Sequence, residues 1–142
     1  MDEVVSGLFV GTTADAGDGS LLRDHGVTVV VSLIHGEPDG GYPDGTTVVD
    51  VPMVDGPRND RTAFDRAVTA VSSRLDDHAV LVHCSAGASR SPTVAATALA
   101  LSEEIGLDEA FRRVRACRDA VDPHDALVRR AVSVYVDRRD GA

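Results

Sequence analysis

The chain has 142 residues, enough for one compact domain, with 43% hydrophobic and 26% charged residues. Its 23 acidic residues outnumber its 14 basic ones, which gives a formal net charge of −9, and every basic residue is arginine. Such a surface repels nucleic acid and anionic lipid, and no apolar run is long enough to span a bilayer. We therefore expect neither nucleic acid nor a membrane as a partner.

The same composition bears on where the protein works. The N-terminal stretch MDEVVSGLFVG is acidic and lacks the basic head and apolar segment of a signal peptide, so we expect a cytoplasmic location. An excess of aspartate without lysine is typical of a halophilic archaeon, where high salt screens self-repulsion. An acidic protein from a GC-rich genome is the alternative.

Taken in chain order, apolar runs and turn residues predict strands that alternate with helices. The predicted strands are 8–11, 27–33, 46–52 and 79–83. The predicted helices are 20–26 with Ser20 as N-cap, 61–75, 91–105 stopped by Gly106, 108–119, and a last helix from Asp122-Pro123 to about Arg138. This order predicts an α/β fold: one domain over residues 1–142, with a central, mostly parallel sheet of four or five strands flanked by helices.

The stretch VLVHCSAGASRSPTV, residues 80–94, reads as a buried strand, a tight loop and a helix. Ligands in such folds bind at the carboxyl ends of the strands. Backbone amides before the helix and the helix dipole favour an anion, and Arg90 adds a bidentate grip. We therefore predict a cradle for a phosphate-like oxyanion. Its predicted phosphate-binding residues are Ser85, Ala86, Gly87, Ala88, Ser89 and Arg90.

Cys84 lies at the start of this loop, where the field that attracts phosphate also favours thiolate over thiol. A thiolate there is placed to attack phosphorus and form a phosphocysteine intermediate. Ser91 could donate a hydrogen bond to the sulfur and help it leave. His83 should point to the opposite face of its strand and brace the loop rather than act as a base. A buried, inert cysteine is the alternative, but it would not explain the arginine, the serine and the small-residue loop together.

The leaving group needs a proton, which a carboxylic acid on a separate loop would supply. The segment VPMVDGPRND, residues 51–60, offers two candidates. Asp55 follows the predicted strand directly and is the first candidate for the general acid. Asp60 is the rival.

The two cysteines, Cys84 and Cys117, are too few for a disulfide framework, and the five histidines show no metal-ligand spacing. We therefore expect no metal and no other cofactor. Cys117 is predicted to be a core cysteine on the side of Phe111 and Val114, the alternative being a regulatory disulfide with Cys84.

The segment HCSAGASRS resembles the H-C-x5-R-S signature of the cysteine-dependent protein tyrosine phosphatase superfamily, and its AG-x-SRS form resembles the dual-specificity phosphatases. The resemblance extends over nearly the whole chain. Further segments that carry it are SGLFVGTTADAGD, LLRDHGVTVVVSL, VPMVD, and EAFRRVRACRDAVDP with Arg118 and Pro123.

The resemblance implies Cys84 as nucleophile, Arg90 as phosphate clamp, Ser91 as the aid to breakdown of the intermediate, and Asp55 as general acid. It implies a protein phosphatase that acts on phosphoproteins and uses no metal. The loop lacks the lysines that lipid-phosphate members use, because Ala86 and Ala88 are neutral.

No separate phosphotyrosine-recognition loop with a stacking aromatic is evident in the sequence. Tyr42 could serve in that role, although an ordinary surface tyrosine is the simpler interpretation. A shallow pocket would admit phosphoserine and phosphothreonine beside phosphotyrosine. The alternatives are a phosphatase of small-molecule or nucleic-acid phosphates and a catalytically weak phosphate-binding module.

Overall fold

The computed structural model describes residues 1–140, which form five strands and six helices. The strands are β1 (Asp2–Val5), β2 (Leu8–Gly11), β3 (Val27–Ser32), β4 (Thr47–Asp50) and β5 (Ala79–His83). The helices are α1 (Thr13–Ala16), α2 (Gly19–Asp24), α3 (Arg61–Ser72), α4 (Arg90–Glu103), α5 (Leu107–Cys117) and α6 (Asp125–Asp140).

The strands form one sheet in the order β1-β2-β5-β3-β4. Only β1 pairs antiparallel, with β2, and the other three pairs are parallel. The predicted α/β architecture with a mostly parallel sheet is therefore confirmed. Because β5 lies between β2 and β3, the segment that follows it leaves the middle of the sheet at its carboxyl edge, where ligands bind in parallel sheets.

Alternation along the strands divides the core into two layers. Val80 and Val82 of β5 face a large cluster with α3, α4, α5 and α6, whereas Leu81 faces a smaller one. That smaller cluster holds Phe9, Ala16, Leu22, Val27, Val30 and Leu81. Both faces of the sheet are therefore covered, as the continuous apolar runs predict for a parallel sheet.

Helix α4 is buried along most of its length, since all ten residues from Ser91 to Ala100 are buried. It packs against α3, α5 and α6 as well as the sheet. Its many alanines allow neighbouring backbones to approach closely, and its buried threonines bond within the helix: Thr97 donates to Thr93 O at 2.8 Å. The N-terminal ten residues after Arg90 are therefore packed inside the core.

Several predicted helix ends are wrong. Asp18, not Ser20, caps α2, because its carboxylate accepts from the Leu21 amide at 3.1 Å. Helix α4 ends at Glu103 rather than at Gly106, and the next residue, Glu104, is in the left-handed conformation (φ 55°); Gly106 instead directly precedes α5. A side-chain cap therefore sets the start of α2, whereas the backbone conformation of Glu104 ends α4.

The start of α6 also differs from the prediction. The helix begins at Asp125, so the pair Asp122-Pro123 lies before it rather than at its first turn. The His124 carbonyl accepts the amide of Val128, and its ring Nδ1 accepts the amide of Ala126 at 3.0 Å. His124 therefore performs the capping that was predicted for Asp122.

Candidate active site

The sulfur of Cys84 lies between the end of β5 and the first turn of α4. The residue is only 2% exposed, and its nearest polar contacts come from one residue. Ser91 Oγ lies 3.2 Å from Sγ, and the Ser91 amide donates to Sγ at 3.4 Å. The structure therefore brings the predicted nucleophile and its predicted serine partner together, with two donors available to a sulfur anion.

The carbonyl groups of residues 84–89 are all hydrogen-bonded by donors outside the loop. This arrangement turns the oxygen side of each peptide toward the surrounding fold. The donors are Thr13 Oγ1 to Cys84 O (3.3 Å), Thr13 N to Ser85 O (3.3 Å), Arg118 Nη2 to Ala86 O (3.3 Å), Arg118 Nε to Gly87 O (2.7 Å), Asp122 N to Ala88 O (2.8 Å) and Thr93 Oγ1 to Ser89 O (2.7 Å).

A trans peptide places N–H and C=O on opposite sides. Because the carbonyls of this loop point outward, its N–H groups point to the inside of the turn. No acceptor within residues 1–140 takes a hydrogen bond from the amides of residues 85–90. Unpaired amides at a helix N-terminus form an anion site. The predicted phosphate-binding loop therefore has the geometry of an oxyanion cradle.

Gly87 is the residue that lets this loop close. Its φ of +66° lies in the left-handed region, and a side chain there would clash with Arg118 and the Gly11 carbonyl. Both the backbone angle and the close approach require glycine.

Arg118 joins three segments through one buried guanidinium. Besides the carbonyls of Ala86 and Gly87, it pairs with the Asp2 carboxylate at 2.8 Å, and only 8% of the residue is exposed. It thus holds the far side of the loop to the N-terminal strand.

We expect Arg118→Met to lower the free energy of unfolding by about 2 kcal/mol or more, because it leaves the Gly87 carbonyl buried without a donor. Urea unfolding monitored by circular dichroism checks this value. Arg112→Met is the control, since Arg112 pairs with Glu109 at an exposed site and such pairs contribute roughly 0–1 kcal/mol. Equal losses in the two variants would contradict the prediction.

Arg90 is partly buried, and its Nη1 donates to the Met53 carbonyl at 3.1 Å. This bond ties the predicted phosphate clamp to the segment that precedes Asp55. A guanidinium has five N–H donors in a planar fork, so one anchoring bond leaves the others for an oxyanion.

The structure separates the two candidate acids. Asp55 is exposed, and its Oδ1 accepts from Ser89 Oγ at 2.7 Å, which places the carboxyl beside the phosphate loop. Asp60 is the N-cap of α3, where its Oδ1 accepts from the Thr62 amide at 3.1 Å. The geometry therefore favours Asp55 as the general acid.

His83 is fully buried on the side of the strand away from the sulfur. Its Nε2 lies 3.0 Å from the Tyr42 hydroxyl, which lies 2.7 Å from Ser32 Oγ, and its Nδ1 lies 3.4 Å from the Cys84 carbonyl oxygen. This is the bracing position expected for His83. Tyr42 is partly buried in this network, so its interpretation as an ordinary surface tyrosine is wrong.

Burial lowers the pKa of His83 below its ordinary value of 6.5. The unfolded chain then binds more protons than the folded one as pH falls through 6.5, so the folded state loses stability there. When the pH is lowered from 7.5 to 5.5, we expect the thermal midpoint of unfolding to decrease less in His83→Gln than in the wild type. Equal falls in paired scanning calorimetry runs would contradict this expectation.

Cys117 is exposed rather than buried, so the prediction of a core cysteine is wrong. It is the last residue of α5, and its sulfur lies 3.9 Å from the Val4 carbonyl oxygen. Both cysteines are free. Within residues 1–140, no group of three or more His, Cys, Asp and Glu side chains is arranged to hold a metal ion. None of the helices in that range combines the length and apolarity needed to cross a membrane.

The contacts that Thr13 and Arg118 make with the loop were not predicted from the sequence. Thr13 binds the Cys84 and Ser85 carbonyls, and Arg118 binds those of Ala86 and Gly87. A polar residue shortly after β2, which neighbours β5, is the signal that could have identified Thr13. Arg118 was noticed only through the family resemblance.

The chain is similar to known proteins over most of its length. The family model "Dual specificity phosphatase, catalytic domain" matches residues 8–135. Dual specificity protein phosphatase 14 of Mus musculus is 33% identical over 124 residues, which is 86% of this chain and 62% of the relative. Dual specificity protein phosphatase 22 of Homo sapiens is 30% identical over 128 residues, which is 87% of this chain and 67% of the relative. The chain thus spans about two thirds of these relatives.

Solved structures show the same fold. Human DUSP28 has a TM-score of 0.91 at 24% identity, with 100% of both chains covered. A mouse dual specificity phosphatase crystallised with zinc tungstate has a TM-score of 0.89 at 27% identity, with 99% of this chain and 89% of that chain covered. The family-model match over residues 8–135 and the relatives at 30% identity or more show that the chain belongs to the dual specificity phosphatase family.

Proposed function

We propose that the protein is a phosphatase that hydrolyses phosphotyrosine, and phosphoserine and phosphothreonine as well, in proteins through a phosphocysteine intermediate. The observation that carries the proposal is the set of outward carbonyls around the Cys84 sulfur, which leaves the loop amides for a phosphoryl group. Residues 1–142 are proposed to act as a single catalytic domain.

In the first step, the Cys84 thiolate attacks phosphorus, which forms a sulfur–phosphorus bond and breaks the bond to the leaving oxygen. The amides of residues 85–90 and the Arg90 guanidinium bind the three equatorial oxygens, where charge spreads in the transition state. Asp55 gives its carboxyl proton to the leaving oxygen, so the product departs as an alcohol or phenol.

In the second step, water attacks phosphorus and the sulfur–phosphorus bond breaks. The Asp55 carboxylate accepts a proton from the water, and inorganic phosphate leaves. Ser91 Oγ, 3.2 Å from the sulfur, donates a hydrogen bond to the departing thiolate and so lowers the cost of its negative charge.

Two features support a single phosphoryl group as the ligand of this site. The mouse relative was crystallised with zinc tungstate, whose anion is tetrahedral like phosphate. In this chain the loop side chains of Ala86, Gly87 and Ala88 add no charge, so a single phosphoryl group is the favoured ligand over polyphosphorylated lipid. The acidic surface is in keeping with a cytoplasmic protein adapted to high salt.

The proposal is tested by steady-state hydrolysis of an aryl phosphate and of matched phosphotyrosine, phosphoserine and phosphothreonine peptides, each at low and molar salt. We expect turnover of all three peptides. Binding of phosphopeptide without turnover at either salt would show a binding module instead. Faster hydrolysis of nucleotides or inositol phosphates than of peptides would identify a small-molecule phosphatase.

A further inference from the structure

The Ser89 side chain connects three segments that the catalytic cycle uses. It lies in the phosphate loop, donates from its hydroxyl to Asp55 Oδ1 at 2.7 Å, and accepts from the backbone amide of His124 at 2.9 Å. The loop that carries Asp55 also packs against His124, since a Cβ atom added to Gly56 would lie 3.5 Å from Nε2 of the His124 ring. One hydroxyl group thus joins the phosphate loop, the acid loop and the start of α6.

The direction of these bonds is fixed by chemistry. A backbone N–H can only donate, so His124 uses a lone pair of Ser89 Oγ and leaves the hydroxyl hydrogen free. That hydrogen is donated to Asp55 Oδ1 at 2.7 Å, so Oδ1 is the acceptor in this bond. In a protonated carboxyl group only one oxygen carries hydrogen, and an oxygen that accepts a short bond from Ser89 is the one without it.

We propose that Ser89 is a positioning residue that fixes which oxygen of Asp55 transfers the proton, an inference that rests on the proposed function. Oδ1 stays bound to Ser89 throughout, and Oδ2 carries the proton. As the phosphorus–oxygen bond breaks, the Oδ2 proton moves to the leaving oxygen. In the second step Oδ2 takes a proton from the attacking water, and the carboxyl group returns to its first state.

This arrangement also determines where the effect of Ser89 should appear. The loop amides that bind phosphate do not depend on the Ser89 hydroxyl, because the Ser89 carbonyl is held separately by Thr93. Loss of the hydroxyl should therefore leave oxyanion affinity intact. It should impair only the proton transfer, which matters for a poor leaving group and little for a good one.

The test compares Ser89→Ala, Ser89→Thr, Asp55→Asn and the double variant Ser89→Ala/Asp55→Asn. Each is assayed with phenyl phosphate, a poor leaving group, and 2,4-dinitrophenyl phosphate, a good one. We expect Ser89→Ala to lower kcat about 10-fold with phenyl phosphate and less than about 3-fold with the dinitrophenyl ester. Ser89→Thr keeps the hydroxyl and should retain most of the rate. Ser102→Ala, an exposed serine on α4, is the matched control.

In the double variant, Ser89→Ala should add nothing to the loss caused by Asp55→Asn, because both act on one proton. The inhibition constant for inorganic phosphate should stay unchanged in Ser89→Ala. Equal rate losses with both esters, additive losses in the double variant, or weakened phosphate inhibition would each overturn the role of Ser89 while the phosphatase proposal stands. A wild type that hydrolyses neither ester would overturn both.

Discussion

Cys84→Ser should abolish turnover while preserving the oxyanion site. We expect kcat on an aryl phosphate to fall on the order of 10⁴-fold or more, because a serine hydroxyl is a far weaker nucleophile than a thiolate at neutral pH. The outward carbonyls do not involve the sulfur, so the Kd for phosphate, measured by isothermal titration calorimetry, should change by less than about 3-fold.

Cys117→Ser provides the matched control for this change. It replaces the same atom at the exposed end of α5, where the sulfur lies 3.9 Å from the Val4 carbonyl oxygen, and it should leave kcat unaltered. The mechanism would be wrong if Cys84→Ser kept substantial activity. Loss of phosphate affinity together with activity would mean that the sulfur shapes the loop rather than attacks phosphorus.

Asp55→Asn should have the second largest effect. With phenyl phosphate or a phosphoserine peptide, whose leaving groups need a proton, we expect kcat to fall by about 10² or more. With 2,4-dinitrophenyl phosphate the loss should be less than about 10-fold, because that phenolate leaves unprotonated. The ratio of the two losses, obtained from saturation kinetics, isolates the proton transfer from general damage to the site.

Asp60→Asn separates the two carboxylates that the sequence left as rivals. Asparagine caps a helix about as well as aspartate, so α3 should keep its stability and kcat should change by less than about 2-fold. If Asp60→Asn instead reproduced the leaving-group dependence expected of Asp55→Asn, the general acid would have to be reassigned.

The parts of the fold that follow from local patterns could be predicted from the sequence. Strand β5 was predicted with its observed bounds, 79–83, because a continuous apolar run in a parallel sheet is bounded by polar residues. Helix ends were predicted less well, since Asp18 and His124 cap their helices through contacts that the neighbouring Ser20 and Asp122 side chains could equally have made.

The contacts that support the phosphate-binding loop could not be predicted either. Its identity is evident in HCSAGASRS, but the groups that hold it come from Thr13, Arg118 and Asp122, which are distant in sequence. Periodicity carries no information about such long-range contacts. Cys117 was misplaced because the buried positions at the end of α5 are Phe111, Val114 and Arg118, and Cys117 lies beside this stripe and is exposed.

The scaffolding of the cradle by Thr13, Arg118 and Asp122 has a consequence for fragments of the chain. A truncated protein ending after α4 would retain the complete signature motif yet lack two of those three supports. We expect such a fragment to contain the motif but not to bind phosphate, because the carbonyl oxygens of residues 86–88 would lose their donors and turn to solvent. We therefore expect the loop to bind phosphate only after β1 and the segment between α5 and α6 have packed against it.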